Sequence, residues 1–143
     1  MKPTPVLLTT DVVLFTQDEN ALEILLIKRL NPPFKDCWAL PGGFVDQMED
    51  LEPAAMRELE EETNVRVSNL FQVGAYGDPK RDERGRVVTV AFIGEVVKSR
   101  VSVKAADDAK EVGWFKVKNL PELAFDHDII IHDALEKRNR AIL

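Results

Sequence analysis

An α/β (α+β) fold, with a mixed β-sheet sandwiched between helices, is what the 143-residue sequence predicts, and three observations predict it. The apolar runs are short and bounded by turn residues, as strands are. Two stretches, from Leu51 to Thr63 and around Ile130 to Leu135, instead carry apolar positions at helical spacing. No Gly/Ser linker, internal repeat or low-complexity segment divides the chain, so residues 1–143 read as one domain. A 45% apolar share is enough for one core.

Val6 to Thr16 alternates loosely and Leu22 to Ile27, followed by Lys28-Arg29, is a second apolar run. Asp18-Glu19-Asn20 between them supplies turn residues, which predicts a hairpin. Pro32-Pro33 ends strand structure, and Trp38-Ala39-Leu40 runs into a glycine turn at Pro41-Gly42-Gly43. From Leu51 to Thr63 the positions Leu51, Ala55 and Leu59 recur every four residues. Asp50 is placed to cap this helix, Pro53 is allowed in its first turn, and Asn64 tolerates the left-handed conformation that closes it, with Val65 folding back. Strands follow at about Val65 to Tyr76 and Arg86 to Val97, the second with a central, two-sided pattern, and a short one at Glu111 to Val117. Asp126 or Asp128 caps a final helix with Ile130, Ile131, Ala134 and Leu135 on its apolar stripe.

Charge and cysteine usage narrow the function. With 19 Lys+Arg against 25 Asp+Glu the formal charge is −6, which disfavours nucleic acid as a partner; a phosphate-bearing ligand then needs a local cluster of cations or metal ions. No apolar run approaches the roughly 18 residues that span a bilayer, and Met1-Lys2 is followed by too short an apolar run for a signal peptide. The lone Cys37 has no internal disulfide partner, fits a reducing cytoplasm and reads as a packing residue. His127 and His132, five apart, miss the spacing of a helical zinc pair and read as packing or surface histidines.

The most informative stretch is Arg57-Glu58-Leu59-Glu60-Glu61-Glu62. Glu58, Glu61 and Glu62 share one helix face at i, i+3 and i+4, close to a C-terminus that already carries partial negative charge. Such a face calls for a cation, and carboxylates without nearby Cys or His suit Mg²⁺, with Mn²⁺ as substitute. Arg57, four residues before Glu61, can hold one carboxylate by a forked pair of hydrogen bonds.

Gly43, five residues, Glu49, seven residues, Arg57-Glu58-Leu59, one residue, Glu61-Glu62, one residue and Asn64-Val65 form a spaced pattern. On it the sequence resembles the Nudix hydrolases, departing only at Asn64, where the family has glycine. Because Asn supports the same left-handed cap, a small stability cost and no loss of chemistry are expected. The resemblance implies a Nudix-like mixed sheet between helices. It implies Glu58, Glu61 and Glu62 as metal ligands, joined by the backbone carbonyl of Gly42, with Glu49 and Arg57 supporting them. Metal ions neutralise a diphosphate and acidify water, and Glu58 or Glu61 takes the proton. Relatives also recruit an acid from a downstream loop, where Asp107 and Asp108 stand.

Substrate choice falls to the loop from Gly77 to Arg86, where four of the seven residues from Lys80 to Arg86 are cationic. Tyr76 to Gly85 with Val87-Val88-Thr89-Val90-Ala91-Phe92, Pro79 downstream of the signature, and Leu123-Ala124-Phe125-Asp126-His127 resemble the ADP-ribose pyrophosphatase branch. Substrate contacts are then expected from Arg29, Phe34, Asp78, Arg81, Arg84 and Phe125, with Phe34 or Phe125 stacking a base. The implied reaction is Mg²⁺-dependent cleavage of ADP-ribose to AMP and ribose 5-phosphate. Its alternatives are pyrophosphohydrolysis of a (d)NTP or oxidised nucleotide, and a non-catalytic ADP-ribose sensor, which would carry a DNA-binding extension or lack carboxylates. Dimers are common among relatives, and an apolar edge at Val6 to Leu8 predicts a homodimer by strand pairing.

Overall fold

The chain is described by a computed structural model covering residues 2–106 and 108–141. Its central strand, β1 (Leu7–Gln17), is buried on both faces, which explains the loose polarity pattern in the sequence. Val12 and Leu14 pack with Ala55 and Leu59 of helix α1 (Leu51–Thr63), whereas Val13 and Phe15 pack with Ile130, Ile131 and Ala134 of helix α2 (His127–Ala141). The mixed sheet is therefore sandwiched between the two helices, as the sequence predicts.

Strand β2 (Leu22–Arg29) makes the expected hairpin with β1, Phe15 opposite Ile24. On its other side β1 runs parallel to β6 (Val87–Glu95), from Leu7 opposite Val87 to Phe15 opposite Glu95, and β5 (Phe71–Tyr76) lies antiparallel on β6. The hairpin pairing stops early. Beyond it β2 pairs with β3 (Trp38–Ala39) and β1 with β4 (Gly42–Phe44), while β7 (Ala109–Lys116) pairs with β2 from Glu23 to Arg29. The segment 38–44 thus crosses from β2 to β1 where the two diverge, and a cavity opens there.

Helix α1 has the predicted bounds and caps. The Asp50 carboxylate accepts from the Leu51 N–H, and Asn64 is left-handed at φ 67°, its N–H donating to the Glu60 carbonyl. The Asn64 side chain donates to the Ser102 carbonyl at 2.9 Å, an anchor that glycine would lack.

Four expectations are corrected. Residues 65–70 are not strand: Val65 and Leu70 turn into the core beneath α1, the Leu70 N–H donates to the Glu52 carboxylate, and the ladder starts at Phe71. The segment Gly42-Gly43 is a strand, not a turn, and its glycines serve close approach, since a Cβ on Gly42 would lie 2.1 Å from the Thr10 carbonyl oxygen. Asp126 precedes α2 but its carboxylate is engaged by Arg81. The edge at Val6 to Leu8 is narrower than expected: Leu7 and Leu8 pair with Val87 and Val88 of β6, the Leu8 carbonyl accepts from the Val45 N–H, and the ladder does not include Val6. Among the described residues no helix is long and apolar enough to cross a membrane.

Candidate active site

The cavity between β1 and β2 has a volume of about 340 Å³. Glu58 and Glu62 of α1 form one wall, Arg29, Arg84 and Phe125 another, and the buried Asp11 and His127 the floor. Glu61 does not line it; its side chain stays 41% exposed beside Arg57. Helical spacing thus brings two of the three predicted carboxylates into the cavity and leaves the third at its rim.

The α1 wall concentrates carboxyl groups. Glu62 is 5% exposed and accepts a hydrogen bond of 2.7 Å from the Gly42 N–H. Burial pushes its carboxyl up to about 9; the Gly42 N–H opposes this, and the charges of Glu58, Asp11 and Asp108 add to it. Glu58 approaches the main chain so closely that a Cβ on Gly43 would lie 2.6 Å from its carboxyl carbon. Arg57 forks onto Glu49 rather than Glu61 through Nε and Nη2, at 2.6 and 2.8 Å; Nη1 donates to Glu58 (2.9 Å) and Glu61 (3.2 Å), and Nη2 also donates to the Phe44 carbonyl (3.1 Å). The bond from Arg57 holds the Glu49 carboxyl below the usual carboxylate range, and Arg57 is held above its own.

The oxygen-only donors of this wall fit a hard divalent cation. Among the described residues no group of three His, Cys, Asp or Glu side chains forms a ready metal cage. A hard divalent cation keeps bound waters and completes its shell with ligand phosphates. It also suits the buried Glu62 carboxylate, whose hydrogen-bond donor is a neutral N–H and not a cation.

Opposite α1 two arginines are already paired with carboxylates, while Arg29 donates to the Pro33 and Asn31 carbonyls. Arg81, its side chain 4% exposed, forks onto Asp126 at 2.9 and 2.7 Å, and Arg84 pairs with the buried Asp82 at 2.7 Å. Two of the four cations of the basic loop read from the sequence, Arg81 and Arg84, are therefore held by carboxylates. Arg29 stands 5.1 Å over the Phe125 ring, and Arg84 lies over both Phe44 (5.4 Å) and Phe125 (5.7 Å). Phe125 (φ 52°) and Phe34 (φ 59°) hold left-handed backbones that bulky residues avoid, at a cost of about 1–2 kcal/mol each, and their rings pack 4.9 Å apart.

Two expected contacts lie outside the cavity lining. Asp78 is exposed and caps its own turn through the Lys80 N–H, and Phe34 reaches the cavity only through Phe125. Asp108 lines the cavity, whereas Asp107 lies outside the described residues.

A model of the NUDIX domain matches residues 7–134. The chain belongs to the NUDIX family. It is 49% identical over 121 residues to an ADP-ribose pyrophosphatase of Methanocaldococcus jannaschii, covering 85% of this chain and 70% of that protein. It is 37% identical over 141 residues to an ADPR responsive transcriptional repressor of Acinetobacter baylyi, covering 96% of this chain and 56% of the repressor, so it spans little more than half of that relative. The NUDIX domain of Shewanella oneidensis NrtR, solved with ADP ribose, superposes with a TM-score of 0.85 at 34% identity, over 94% of this chain and 89% of that one.

In this NUDIX fold the residues that sequence reasoning missed are those of the cavity floor. Asp11 was visible only as a lone carboxylate interrupting an apolar strand. The structure buries it, with its Oδ2 accepting from the Thr89 hydroxyl at 2.6 Å. His127, read as a packing or surface residue, is 3% exposed, and burial lowers its pKa.

Proposed function

We propose that this chain hydrolyses the diphosphate of ADP-ribose to AMP and ribose 5-phosphate with Mg²⁺, Mn²⁺ serving as substitute. The observation that carries the reading is one cavity in which the α1 carboxylates face an arginine- and phenylalanine-lined wall. The 49% identity to an ADP-ribose pyrophosphatase supports the substrate. In this reading Glu58 and Glu62, with Glu61 at the rim and the Gly42 carbonyl, hold the cations. Mg²⁺ bound there supplies neutralisation of the diphosphate oxygens and acidification of a water.

Glu49 and Arg57 keep the carboxylates in place. Attack of water on phosphorus breaks one bridging P–O bond and releases two monophosphates, and the water proton passes to a carboxylate. Glu58 is favoured over Glu61 for this because it lines the cavity. Asp108 is a further acid on the lining. Arg29, Arg84 and Phe125 hold the nucleoside, and Arg81 acts by fixing Asp126 rather than by touching substrate. A small nucleotide in a reducing cytoplasm is the setting this reading assigns. A homodimer is part of it, with strand pairing at Val6 to Leu8 the less favoured route because Leu7 and Leu8 already pair with β6.

Retention of Arg57 and of every α1 carboxylate favours turnover over the binding-only role of a regulator. Product analysis with ADP-ribose and Mg²⁺, beside Glu58→Gln and a panel of nucleoside triphosphates, tests the reading. AMP and ribose 5-phosphate from the unmodified chain alone are expected. Pyrophosphate released from a triphosphate without ADP-ribose cleavage overturns the substrate, and tight ADP-ribose binding without turnover overturns the enzyme.

A further inference from the structure

We propose that Asp11 and His127 form a hydroxyl-recognition site for one of the two ribose rings of the substrate. The inference rests on the ADP-ribose reading and deepens it. Asp11 and His127 both line the cavity and both are buried. The Leu40 N–H donates to His127 Nδ1 at 3.0 Å. An acceptor at Nδ1 requires the neutral ring with its proton on Nε2, which makes Nε2 a donor. Burial of the ring supports the neutral form.

Nε2 lies 3.7 Å from Asp11 Oδ1, too far for a hydrogen bond. The other carboxylate oxygen already accepts from the Thr89 hydroxyl, so Oδ1 is the acceptor left at the floor. One oxygen at about 2.8 Å from each group bridges the gap, provided that it donates to Asp11 and accepts from His127. A ligand hydroxyl does both, in the place that a water takes when no ligand is bound. A phosphate oxygen does not, since it has no proton to give Asp11, and the neighbouring Arg81 is engaged by Asp126.

Position selects a sugar. A Cβ on Gly42 would lie 2.5 Å from Asp11 Oδ1, and the Gly42 N–H bonds to Glu62, so the floor adjoins the carboxylate end of the cavity. In ADP-ribose both ribose rings are joined directly to the diphosphate, whereas the adenine is one ring further away. A ribose hydroxyl is therefore the substrate group within reach of the floor when the diphosphate lies against α1.

Steady-state hydrolysis of ADP-ribose is compared with that of analogues each lacking one 2- or 3-hydroxyl on either ribose. One analogue is expected to lose roughly 10- to 100-fold in kcat/KM with the unmodified chain, as when a buried polar pair is left unmatched. Asp11→Asn and His127→Gln are each expected to lower kcat/KM for ADP-ribose while changing little for that same analogue. Equal kcat/KM for all analogues overturns the site. So does an Asp11→Asn variant that loses activity on every substrate alike and recovers it at high Mg²⁺, which would mark a charge effect on the cation. If the unmodified chain cleaves no ADP-ribose, the substrate reading and this inference fall together; cleavage without discrimination removes only the inference.

Discussion

The two walls of the cavity handle charge in opposite ways. On α1 the carboxylates outnumber their cations: Arg57 serves Glu49, Glu58 and Glu61 together, and the buried Glu62 has a backbone N–H. Across the cavity Arg81 is matched by Asp126 and Arg84 by Asp82. In the proposed function the first wall is completed from outside, by a cation. The second has Arg81 and Arg84 already matched, with Arg29 held by the Pro33 and Asn31 carbonyls, and presents ring faces and guanidinium planes to a ligand. A sequence count of basic residues cannot distinguish an arginine that awaits a phosphate from one already held by an aspartate.

The contrast is broken most strongly at Glu62. Glu62→Gln keeps an oxygen for the Gly42 N–H but removes the charge, so turnover is expected to fall on the order of 10³-fold, the loss of several kcal/mol of charge stabilisation. Thermal melting is the check on the fold: the metal-free midpoint should not drop, and the rise on adding Mg²⁺ should shrink. An equal rise in both proteins would remove Glu62 from the cation site.

The opposite wall should respond in stability instead. Arg81→Ala leaves Asp126 without its cation at a nearly buried position, for an expected loss of about 3–5 kcal/mol in denaturant unfolding. A loss below about 1 kcal/mol, together with a raised KM, would mean that Arg81 awaits substrate after all.

The smallest effect is at the floor, in the pH dependence of stability. Burial lowers the pKa of His127, an effect that Asp11 and Asp126 partly offset. Near the ordinary value of 6.5 the unfolded chain takes a proton that the folded site refuses. The unfolded state then binds more protons, so stability is full above that pH and falls as pH drops through the lowered folded value. His127→Gln should flatten this part of the profile, and an unchanged slope would assign the acid sensitivity to other groups.

Local encoding explains what was legible. Helix α1 carries its own caps at Asp50 and Asn64 and its own periodicity, so its bounds and the clustering of Glu58, Glu61 and Glu62 follow from 3.6 residues per turn. The β1–β2 hairpin follows from a short turn between two apolar runs. Register and divergence are not local. That β4 leaves β3 to pair with β1 depends on Gly42 fitting against the Thr10 carbonyl, and the start of β5 at Phe71 depends on Leu70 turning into the core.

The sequence by itself therefore determined the mixed sheet between helices, the family and the acidic wall, because these rest on spacings within a few turns or a single hairpin. Only the tertiary structure decided the rest of the cavity. Arg81 meets Asp126 across 45 residues, Asp11 meets Thr89 across 78, and Leu40 meets His127 across 87. Side chains that far apart in the chain acquire partners only when strands and helices pack, and packing fixes which charges are neutralised and which remain for a ligand.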